Sequence, residues 1–428
     1  MPLKLLAAAD LHLGRRPGHL PDPLLDGVSV RELSPAGAWQ RLVKLALDEG
    51  VSAVLLAGDV VDGDDDFFEA YRELRDGVVR LTRAGIRVLA VAGNHDTKVL
   101  PYLADQVEAF ELLGREGRWE STTLSFGGAA ATIYGWSFPR PWVREDPLSG
   151  HAFPRGPGAN LGLLHCDRNQ PGSRYAPVSS SALAGAGLDG WLLGHIHRPD
   201  PLSLPHPQGY LGSLTGLDPG EWGHRGAWLL MVDGGGIAGL ERRALGPLRW
   251  AREEVGLHEL DEPEEARSRL LDRMHELARE VGEADDAPLA VGIRVTFTGR
   301  TRFGREVEAL LSPELLSELV VEEGRVGCFV ESVRVETLPE VDLEELARRG
   351  DPAGLLARRV LLLLEGDPGD PARRELLTRG RKRLARVGDG HPWGELERGA
   401  PDEDETEEWL RRAGLKALDL LLAQAENR

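Results

Sequence analysis

Five short apolar runs of strand length lie in the first 200 residues, and amphipathic stretches separate several of them. The clearest amphipathic stretches cover residues 34–50 and 67–85, and Gly85 is a suitable stop for the second helix. Strands that alternate with helices predict a layered α/β fold whose sheet is buried on both faces. The five apolar runs are residues 3–9, 51–57, 87–92, 161–164 and 191–193.

Three further strands are predicted in the same half of the chain. They cover residues 131–138, 226–233 and 239–245, and three consecutive glycines form a turn between the last two. We expect these strands in the second sheet of a β-sandwich core.

The pattern changes near residue 250. Two amphipathic stretches there alternate with three strands, which predicts a small α+β domain of about the minimum size of a domain. After Pro339 only helical patterns follow, together with a polar loop at 388–405. The chain is therefore expected to contain three parts: residues 1–250, 251–340 and 341–428.

Composition and charge limit the class of protein. The chain has 428 residues, of which 41% are hydrophobic and 28% charged, as in globular proteins. The formal net charge of −19 weighs against tight, autonomous binding to nucleic acid. It does not exclude a nuclease, because bound divalent metals reverse the local charge and a partner can supply a basic surface.

The cysteine count and the N-terminus bear on the compartment. The two cysteines, Cys166 and Cys328, lie far apart in no metal-binding spacing, so a disulfide framework is not expected. Nothing at the N-terminus resembles a signal peptide, and no apolar stretch is long enough to cross a bilayer. We expect a protein of the cytoplasm with no membrane association.

Each of the five apolar runs ends in residues that can bind a metal. The carboxyl ends of strands in an α/β sheet meet at one cleft, so these side chains are expected to converge. Carboxylates, one amide and imidazoles without any thiolate suit two adjacent Mn, Fe, Zn or Mg ions better than a structural zinc. The predicted ligands are Asp10, His12, Asp59, Asn94, His165, His195 and His197.

The ordered motifs D-x-H, GD-x-x-D, GNHD, H and GH-x-H resemble those of the calcineurin-like metallophosphoesterases. The chain is more closely similar to the SbcD-type DNA repair exonucleases, and among these to the YhaO-like branch. The sequences "DLHLG", "GHIH" and "YLGSLTGLDPGEWGHRGAWLL" support this. The resemblance implies a metallophosphoesterase β-sandwich flanked by helices (1–250), a small α+β capping domain that binds DNA (251–340) and a helical partner-binding tail (341–428).

The resemblance also implies roles for single residues. His95 would lie over the scissile phosphate and help to protonate the leaving oxygen. Two ions, of which Mn²⁺ is favoured over Mg²⁺, Fe²⁺ or Zn²⁺, would lower the pKa of a bridging water so that it attacks as hydroxide. The ions would share Asp59: one would be held by Asp10, His12, Asp59 and His197, and the other by Asp59, Asn94, His165 and His195.

Several nearby polar residues allow two interpretations. Asp96 could anchor the His95 loop or orient the imidazole of His95, or it could simply cap a turn. Asp62 could support the site loop, or it could be an ordinary cap. The acidic run 64–66 is interpreted as a solvated helix start rather than a third metal site. His224 either approaches the substrate or has a structural or surface role.

The function that the resemblance implies is a DNA exonuclease and endonuclease subunit of an SbcCD-like repair complex. Its partners would be double-strand DNA ends, an SbcC-like or YhaN-like coiled-coil ATPase and a second copy of the chain. One alternative is a small-molecule phosphodiesterase of the cyclic-nucleotide type, which often carries GHTH in place of GHIH. A metal-dead scaffold is another, although the intact ligands argue against it. A protein phosphatase is disfavoured because GDxxDRG and GNHE are absent.

The tail offers a surface for the ATPase. We expect its last helix to present an apolar stripe to the partner, although the same stripe could instead pack on the chain's own body. An arginine-rich stretch, residues 373–386, lies upstream. The stripe is formed by Trp409, Leu410, Ala413, Leu418, Leu421 and Leu422.

Overall fold

The structure is a computed structural model that describes residues 2–21, 27–311, 319–388 and 401–426. Most of the predicted polar loop at 388–405 lies outside these residues. The chain forms two compact units, and residues of the segment 251–340 are found in both. The first unit consists of residues 1–252, 273–294 and 316–332, and the second of 253–272, 295–315 and 333–428.

The described residues include fifteen strands. They are β1 Leu3–Ala8, β2 Ala53–Ala57, β3 Arg87–Val91, β4 Phe110–Leu112, β5 Glu120–Phe126, β6 Ala129–Trp136, β7 Ala159–His165, β8 Gly190–Gly194, β9 Gln208–Tyr210, β10 Gly226–Asp233, β11 Gly236–Ala244, β12 Leu248–Gly256, β13 Ala290–Thr298, β14 Val320–Glu323 and β15 Val326–Val335.

The two helices predicted at 34–50 and 67–85 are observed as Pro35–Glu49 and Phe67–Arg83. In the helix Pro35–Glu49, the Ser34 side chain accepts a hydrogen bond from the Ala36 N–H, and Gly50 ends the helix in the left-handed conformation (φ 59°). The helices are α1 Val30–Leu33, α2 Pro35–Glu49, α3 Phe67–Arg83, α4 Val99–Gln106, α5 Ser180–Gly185, α6 Glu265–Gly282, α7 Gly304–Leu310, α8 Leu343–Ala347, α9 Pro352–Glu365, α10 Pro371–Gly388 and α11 Glu403–Glu426.

Two sheets form the core of the first unit. One has the strand order β11-β10-β1-β2-β3-β4 and the other β5-β6-β7-β8-β9. The expectation that residues 226–233 and 239–245 belong to the second sheet is wrong. Strand β10 pairs antiparallel with β1, with Leu5 opposite Leu230, and β11 follows β10 as a hairpin in the first sheet.

The two sheets pack face to face and helices cover their outer faces. Leu55 of β2 and Leu163 of β7 belong to one buried cluster between the sheets. On the other side of the first sheet, Trp39 of α2 packs in a second cluster with Leu56. A third cluster contains Trp191 of β8 and Leu183 of α5. The predicted β-sandwich flanked by helices is therefore confirmed.

A third sheet has the order β12-β13-β15-β14. Three strands were predicted in this region, and the short strand β14 is a fourth. The helix α7 ends at Leu310, and residues 312–318 lie outside the described part of the chain.

The helices α8 to α11 lie in the second unit, so the predicted helical C-terminal region is confirmed. Helices α8, α9 and α11 share an apolar cluster that includes Leu415 and Leu418, both fully buried, with Leu421 and Leu422 packed against it. The expectation that this stripe faces a partner is therefore wrong for Leu418, Leu421 and Leu422, which pack on the chain itself. Trp409 remains 60% exposed. None of the described helices is long and apolar enough to cross a membrane.

Candidate metal centre

All seven predicted ligands lie at or directly after the carboxyl ends of five strands. In the first sheet β1, β2 and β3 run parallel, and in the second β7 and β8 do so. The five strands therefore come from two packed sheets rather than from the single sheet that the sequence predicted. The structure nevertheless brings the side chains together.

The first ligand set consists of Asp10, His12 and His197, whose ligand atoms lie within 4.8 Å of one another. The Nε2 atoms of His12 and His197 are 3.2 Å apart. Both oxygens of Asp10 accept from the backbone N–H of His195, at 3.0 and 3.2 Å, so this carboxylate also fixes the loop after β8.

The second ligand set consists of Asn94, His165 and His195. His165 and His195 group with Asp59 within the same 4.8 Å limit. Nε2 of His165 lies 3.1 Å from Oδ1 of Asn94 and 3.3 Å from Oδ2 of Asp59. Three potential metal-ligand atoms, each from a different residue, therefore face one another at the end of β7.

Asp59 stands between the two ligand sets. Its Oδ2 is 3.3 Å from Nε2 of His165 and 3.9 Å from Nε2 of His12. The other oxygen, Oδ1, accepts from the backbone N–H of His95 at 3.0 Å. This position is the one that a carboxylate bridging two ions would need, although the bridging role itself stays a prediction.

The hydrogen bonds at Nδ1 of two histidines leave their Nε2 atoms available to bind a cation. Nδ1 of His12 lies 2.8 Å from a carboxylate oxygen of Asp62, and Nδ1 of His197 lies 2.7 Å from Glu221. When both imidazoles are neutral and donate through Nδ1, both Nε2 atoms carry lone pairs, and these atoms lie only 3.2 Å apart. Two lone pairs in this position repel, and a bound cation would turn the repulsion into coordination.

The same holds at His165. Its Nδ1 lies 3.1 Å from the carbonyl oxygen of Ala57 and can only donate to it. Its Nε2 then faces the oxygens of Asn94 and Asp59, which only accept. The residues present thus fit the metals that the ligand chemistry implies.

Without a cation, a proton would have to relieve these contacts. Burial lowers the pKa of His165, but the Asp59 carboxylate outweighs burial and raises it to about 9. Burial raises the pKa of Asp59, yet the charge of His165 brings it below its usual range. Burial and the neighbouring His165 lower the pKa of His195 to about 4, so this imidazole is neutral and able to bind a metal.

Unusual backbone conformations hold the ligands. Asp10, His12, Asp59 and His195 have φ of 50°, 51°, 47° and 106°, a region that non-glycine residues rarely adopt. A Cβ atom on Gly93 would lie 2.1 Å from Oδ1 of Asp59, so this glycine permits the close approach of two site loops. Such conformations persist where the surrounding structure enforces them, as at many functional sites.

The residues next to the ligands form a supporting network. Oδ2 of Asp96 accepts from the backbone N–H of Val60 at 2.7 Å, and its Oδ1 accepts from that of Gly93 at 2.7 Å. Asp96 therefore anchors the loops after β2 and β3, whereas the His95 imidazole bonds to the carbonyl oxygen of Asp62 at 2.8 Å. Asp62 thus orients both His12 and His95.

Two acidic residues of this network were missed by the sequence analysis. Glu221 bonds to His197, and Asp167 lies 3.3 Å from Nε2 of His195 through Oδ1. The position of Asp167, two residues after His165, was one available signal. The acid in "EWGHRGAW" was another, but it does not follow an apolar run in the way that the ligands do.

The remaining candidates lie outside the two ligand sets. Residues 64–66 form a short 3₁₀ helix before α3, and Asp65 and Asp66 belong to no group of metal-binding side chains in the described residues. His224 lines a pocket of about 280 Å³ with Arg225, Leu248 and Arg249, and it is not part of a described metal-binding group.

The fold and the site define a class of protein that comparisons with known families bear out. Residues 3–199 match the calcineurin-like phosphoesterases. The chain thus carries a calcineurin-like metallophosphoesterase domain, and this class implies a metal-dependent phosphoester hydrolase that uses two divalent ions. Residues 250–338 match the middle domain of the metallophosphoesterase YhaO, which confirms the YhaO-like resemblance.

Individual relatives agree with this assignment. The chain is 28% identical to the metallophosphoesterase YhaO of Bacillus subtilis over 264 residues, which are 60% of this chain and 64% of that protein. It is 23% identical over 376 residues to the DNA double-strand break repair protein Mre11 of Methanopyrus kandleri, covering 80% of each chain. Mre11 of Methanosarcina mazei is 32% identical over 153 residues, 36% of this chain and 23% of that protein.

Proposed function

We propose that the chain is a DNA-cutting phosphodiesterase with a dinuclear metal centre. The observation that carries this proposal is the convergence of potential metal ligands on both sides of Asp59. Nε2 of His12 lies 3.2 Å from Nε2 of His197, and Nε2 of His165 lies 3.1 and 3.3 Å from oxygens of Asn94 and Asp59. Two divalent ions held by the ligand sets and Asp59 would supply Lewis-acid activation of a water and of the phosphate oxygens. Mn²⁺ is the metal that we propose.

His95 is the proposed catalytic residue of the chain. Its imidazole is exposed, and its Nδ1 donates to the Asp62 carbonyl oxygen at 2.8 Å. Nε2 is therefore the atom that can hold a proton and release it to the leaving oxygen of the phosphodiester. The ring centroid lies 5.1 Å from that of His12, so a phosphate beside the first ligand set would be within its reach.

A nuclease is favoured over a small-molecule phosphodiesterase. The similarity to an archaeal DNA repair protein extends over 376 residues, well beyond the phosphoesterase domain itself. The net charge of −19 remains unfavourable for DNA binding, and a partner with a basic surface would offset it. We therefore propose an SbcCD-like repair complex in the cytoplasm, with a coiled-coil ATPase of the SbcC or YhaN type and a second copy of the chain.

The same interpretation gives roles to the parts of the chain. Residues 1–250 would form the nuclease domain, 251–340 a capping domain that contacts DNA, and 341–428 the region that binds the ATPase.

The proposal can be tested with two substrates in parallel. Mn²⁺-loaded protein, alone and with the ATPase encoded by the same organism, would be assayed on linear double-stranded DNA and on a chromogenic phosphodiester. We expect cleavage of both, and His95→Ala should abolish most of each. Hydrolysis of the chromogenic substrate without any cleavage of DNA would favour the small-molecule enzyme, and inactivity on both would favour the scaffold.

A further inference from the structure

Two exposed tryptophans lie beside unpaired arginines in the first unit. The Trp142 side chain is 60% exposed and that of Trp222 49%. The guanidinium of Arg174 lies 5.4 Å from the ring centroid of Trp142. Those of Arg198 and Arg252 lie 5.9 and 5.5 Å from that of Trp222. Each exposed ring is thus held next to a cation at the distance of a cation–π contact.

Trp222 is connected to the first ligand set. It follows Glu221, whose carboxylate bonds to Nδ1 of His197 at 2.7 Å. Arg198 in turn follows His197 directly in sequence. In sequence, Arg198 is therefore one residue away from the predicted ligand His197, and Trp222 is one residue away from Glu221, the hydrogen-bond partner of that ligand.

Trp142 is connected to the second ligand set. The guanidinium of Arg174 lies over the ring of Tyr175 as well, at 5.3 Å. The Tyr175 ring is 4.9 Å, centroid to centroid, from the imidazole of His195. A continuous row of aromatic and cationic groups thus leads from the metal centre to the exposed ring.

The arginines of these groups have no acidic partner within the described residues. Arg174, Arg198 and Arg252 are exposed and form no ion pair there. In contrast, Arg155 lies 2.7 Å from Asp189, and many other arginines of the unit are paired in the same way. In a protein of net charge −19, unpaired cations next to the active centre favour an anionic ligand at this position.

Both rings are carried by backbone that is tied to neighbouring segments. Next to Trp142, the N–H of Val143 donates to the carbonyl oxygen of Arg174 at 2.8 Å, and the N–H of Ala176 donates to the carbonyl oxygen of Val143 at 2.7 Å. Next to Trp222, the N–H of Gly223 donates to the Trp250 carbonyl at 2.9 Å. The backbone on either side of each ring is therefore held in place before a ligand arrives, which lowers part of the entropy cost of binding.

We propose that Trp142 and Trp222 are stacking platforms for unpaired bases, and that the adjoining arginines hold the phosphates of the same strand. Aromatic rings next to cations are the combination that binds single-stranded nucleic acid, since each base offers a π-face and each linkage a charge. In a duplex the base faces are covered by their neighbours. The inference rests on the proposed nuclease function, and it specifies the substrate: a strand that is unpaired where it crosses the metal centre.

The experiment compares two substrates in the full chain loaded with Mn²⁺. The kcat/KM for a single-stranded oligonucleotide is divided by that for a chromogenic phosphodiester, which is too small to reach the rings. Trp142→Ala and Trp222→Ala should each lower this ratio about 10-fold, the effect expected for one lost stacking contact. Trp142→Phe and Trp222→Phe should restore most of it, because a ring is kept.

Two control variants separate the platforms from general effects. Trp409→Ala removes a ring of equal exposure in the second unit, and Arg155→Ala removes a positive charge that is already paired. Neither should change the ratio. A fully paired blunt duplex should be cut less efficiently than the single strand by the wild-type protein.

The outcomes distinguish this inference from the function on which it rests. If the wild-type protein cuts the oligonucleotide and the alanine variants keep the wild-type ratio, the platforms are refuted while the nuclease function stands. An alanine variant that loses both activities in proportion also refutes them. If the wild-type protein hydrolyses only the chromogenic substrate, the nuclease function itself fails, and the platforms fail with it.

Discussion

The two ligand sets on either side of Asp59 are held in different ways. In the first, the imidazoles of His12 and His197 are each fixed by a side-chain carboxylate, at 2.8 and 2.7 Å. In the second, His165 is fully buried and is fixed by the carbonyl oxygen of Ala57. His195 of that set faces the carboxylate of Asp167 at the longer distance of 3.3 Å.

The first set is therefore held by charged side chains, and the buried histidine of the second set is held by the uncharged backbone. A carboxylate behind an imidazole raises the basicity of the ligand and fixes its tautomer, so the first set depends on charges that a single substitution can remove. A backbone carbonyl fixes the tautomer without adding charge, and it cannot be removed by changing a side chain. The second set should therefore tolerate changes in its surroundings better than the first.

The largest effect is expected at the residue that both sets share. Asp59→Ala should remove both ions and lower phosphodiester hydrolysis on the order of 10³-fold or more, since the lost charge stabilisation is worth several kcal/mol. Elemental analysis of metals per chain gives the readout, with the exposed Asp105→Ala as control. Nearly two ions in Asp59→Ala would contradict the shared position.

His95 belongs to neither set, and its loss should separate chemistry from metal binding. His95→Ala should keep both ions and lower kcat about 10²–10⁴-fold, the usual worth of a general acid. Metal content and turnover would be measured on the same preparation, next to His206→Ala on an exposed loop. Wild-type turnover in the metallated variant would remove His95 from the mechanism.

The comparison of the two sets can be sharpened with a matched pair of substitutions. Glu221→Gln and Asp167→Asn each remove one charge and keep the size of the side chain. Glu221→Gln should weaken one of the two Mn²⁺ binding steps about 10- to 100-fold. Asp167→Asn should have a smaller effect, because its contact with His195 is longer.

Isothermal titration with Mn²⁺ would resolve these steps. Equal losses of Mn²⁺ affinity in the two variants would show that the first set depends on its carboxylate no more than the second set does. A loss only in Asp167→Asn would reverse the comparison.

The smallest effect is expected at the tail. Since Leu418 and its neighbours pack on the chain itself, the exposed Trp409 remains as a contact for the proposed ATPase. Trp409→Ala should weaken binding of that partner roughly 10-fold, without changing hydrolysis of a small phosphodiester. Pull-down of the ATPase at undiminished stoichiometry and affinity would show that the partner binds elsewhere.

The sequence predicted the ligands because each follows an apolar run that ends abruptly in polar residues. Glu221 has no such run before it, since it lies in the irregular segment between β9 and β10, and its role depends on a contact with a distant loop. The sheet that contains β10 was also beyond prediction, because its pairing with β1 joins residues more than 200 positions apart.

The same limit applied to the tail. The stripe of α11 was correctly identified as apolar, but periodicity does not tell whether such a stripe packs on the chain itself or on another protein. The packing of Leu418 with Val360 of α9 gave the answer for that part of the stripe.

The residues around Asp59 would hold two ions, both of which would be needed for phosphodiester hydrolysis. The most direct test is to titrate metal-free protein with Mn²⁺ and to follow hydrolysis of a chromogenic phosphodiester at each ratio. We expect two equivalents to bind and hydrolysis to appear mainly with the second equivalent. Full activity after one equivalent, or binding of two equivalents without hydrolysis, would contradict this expectation.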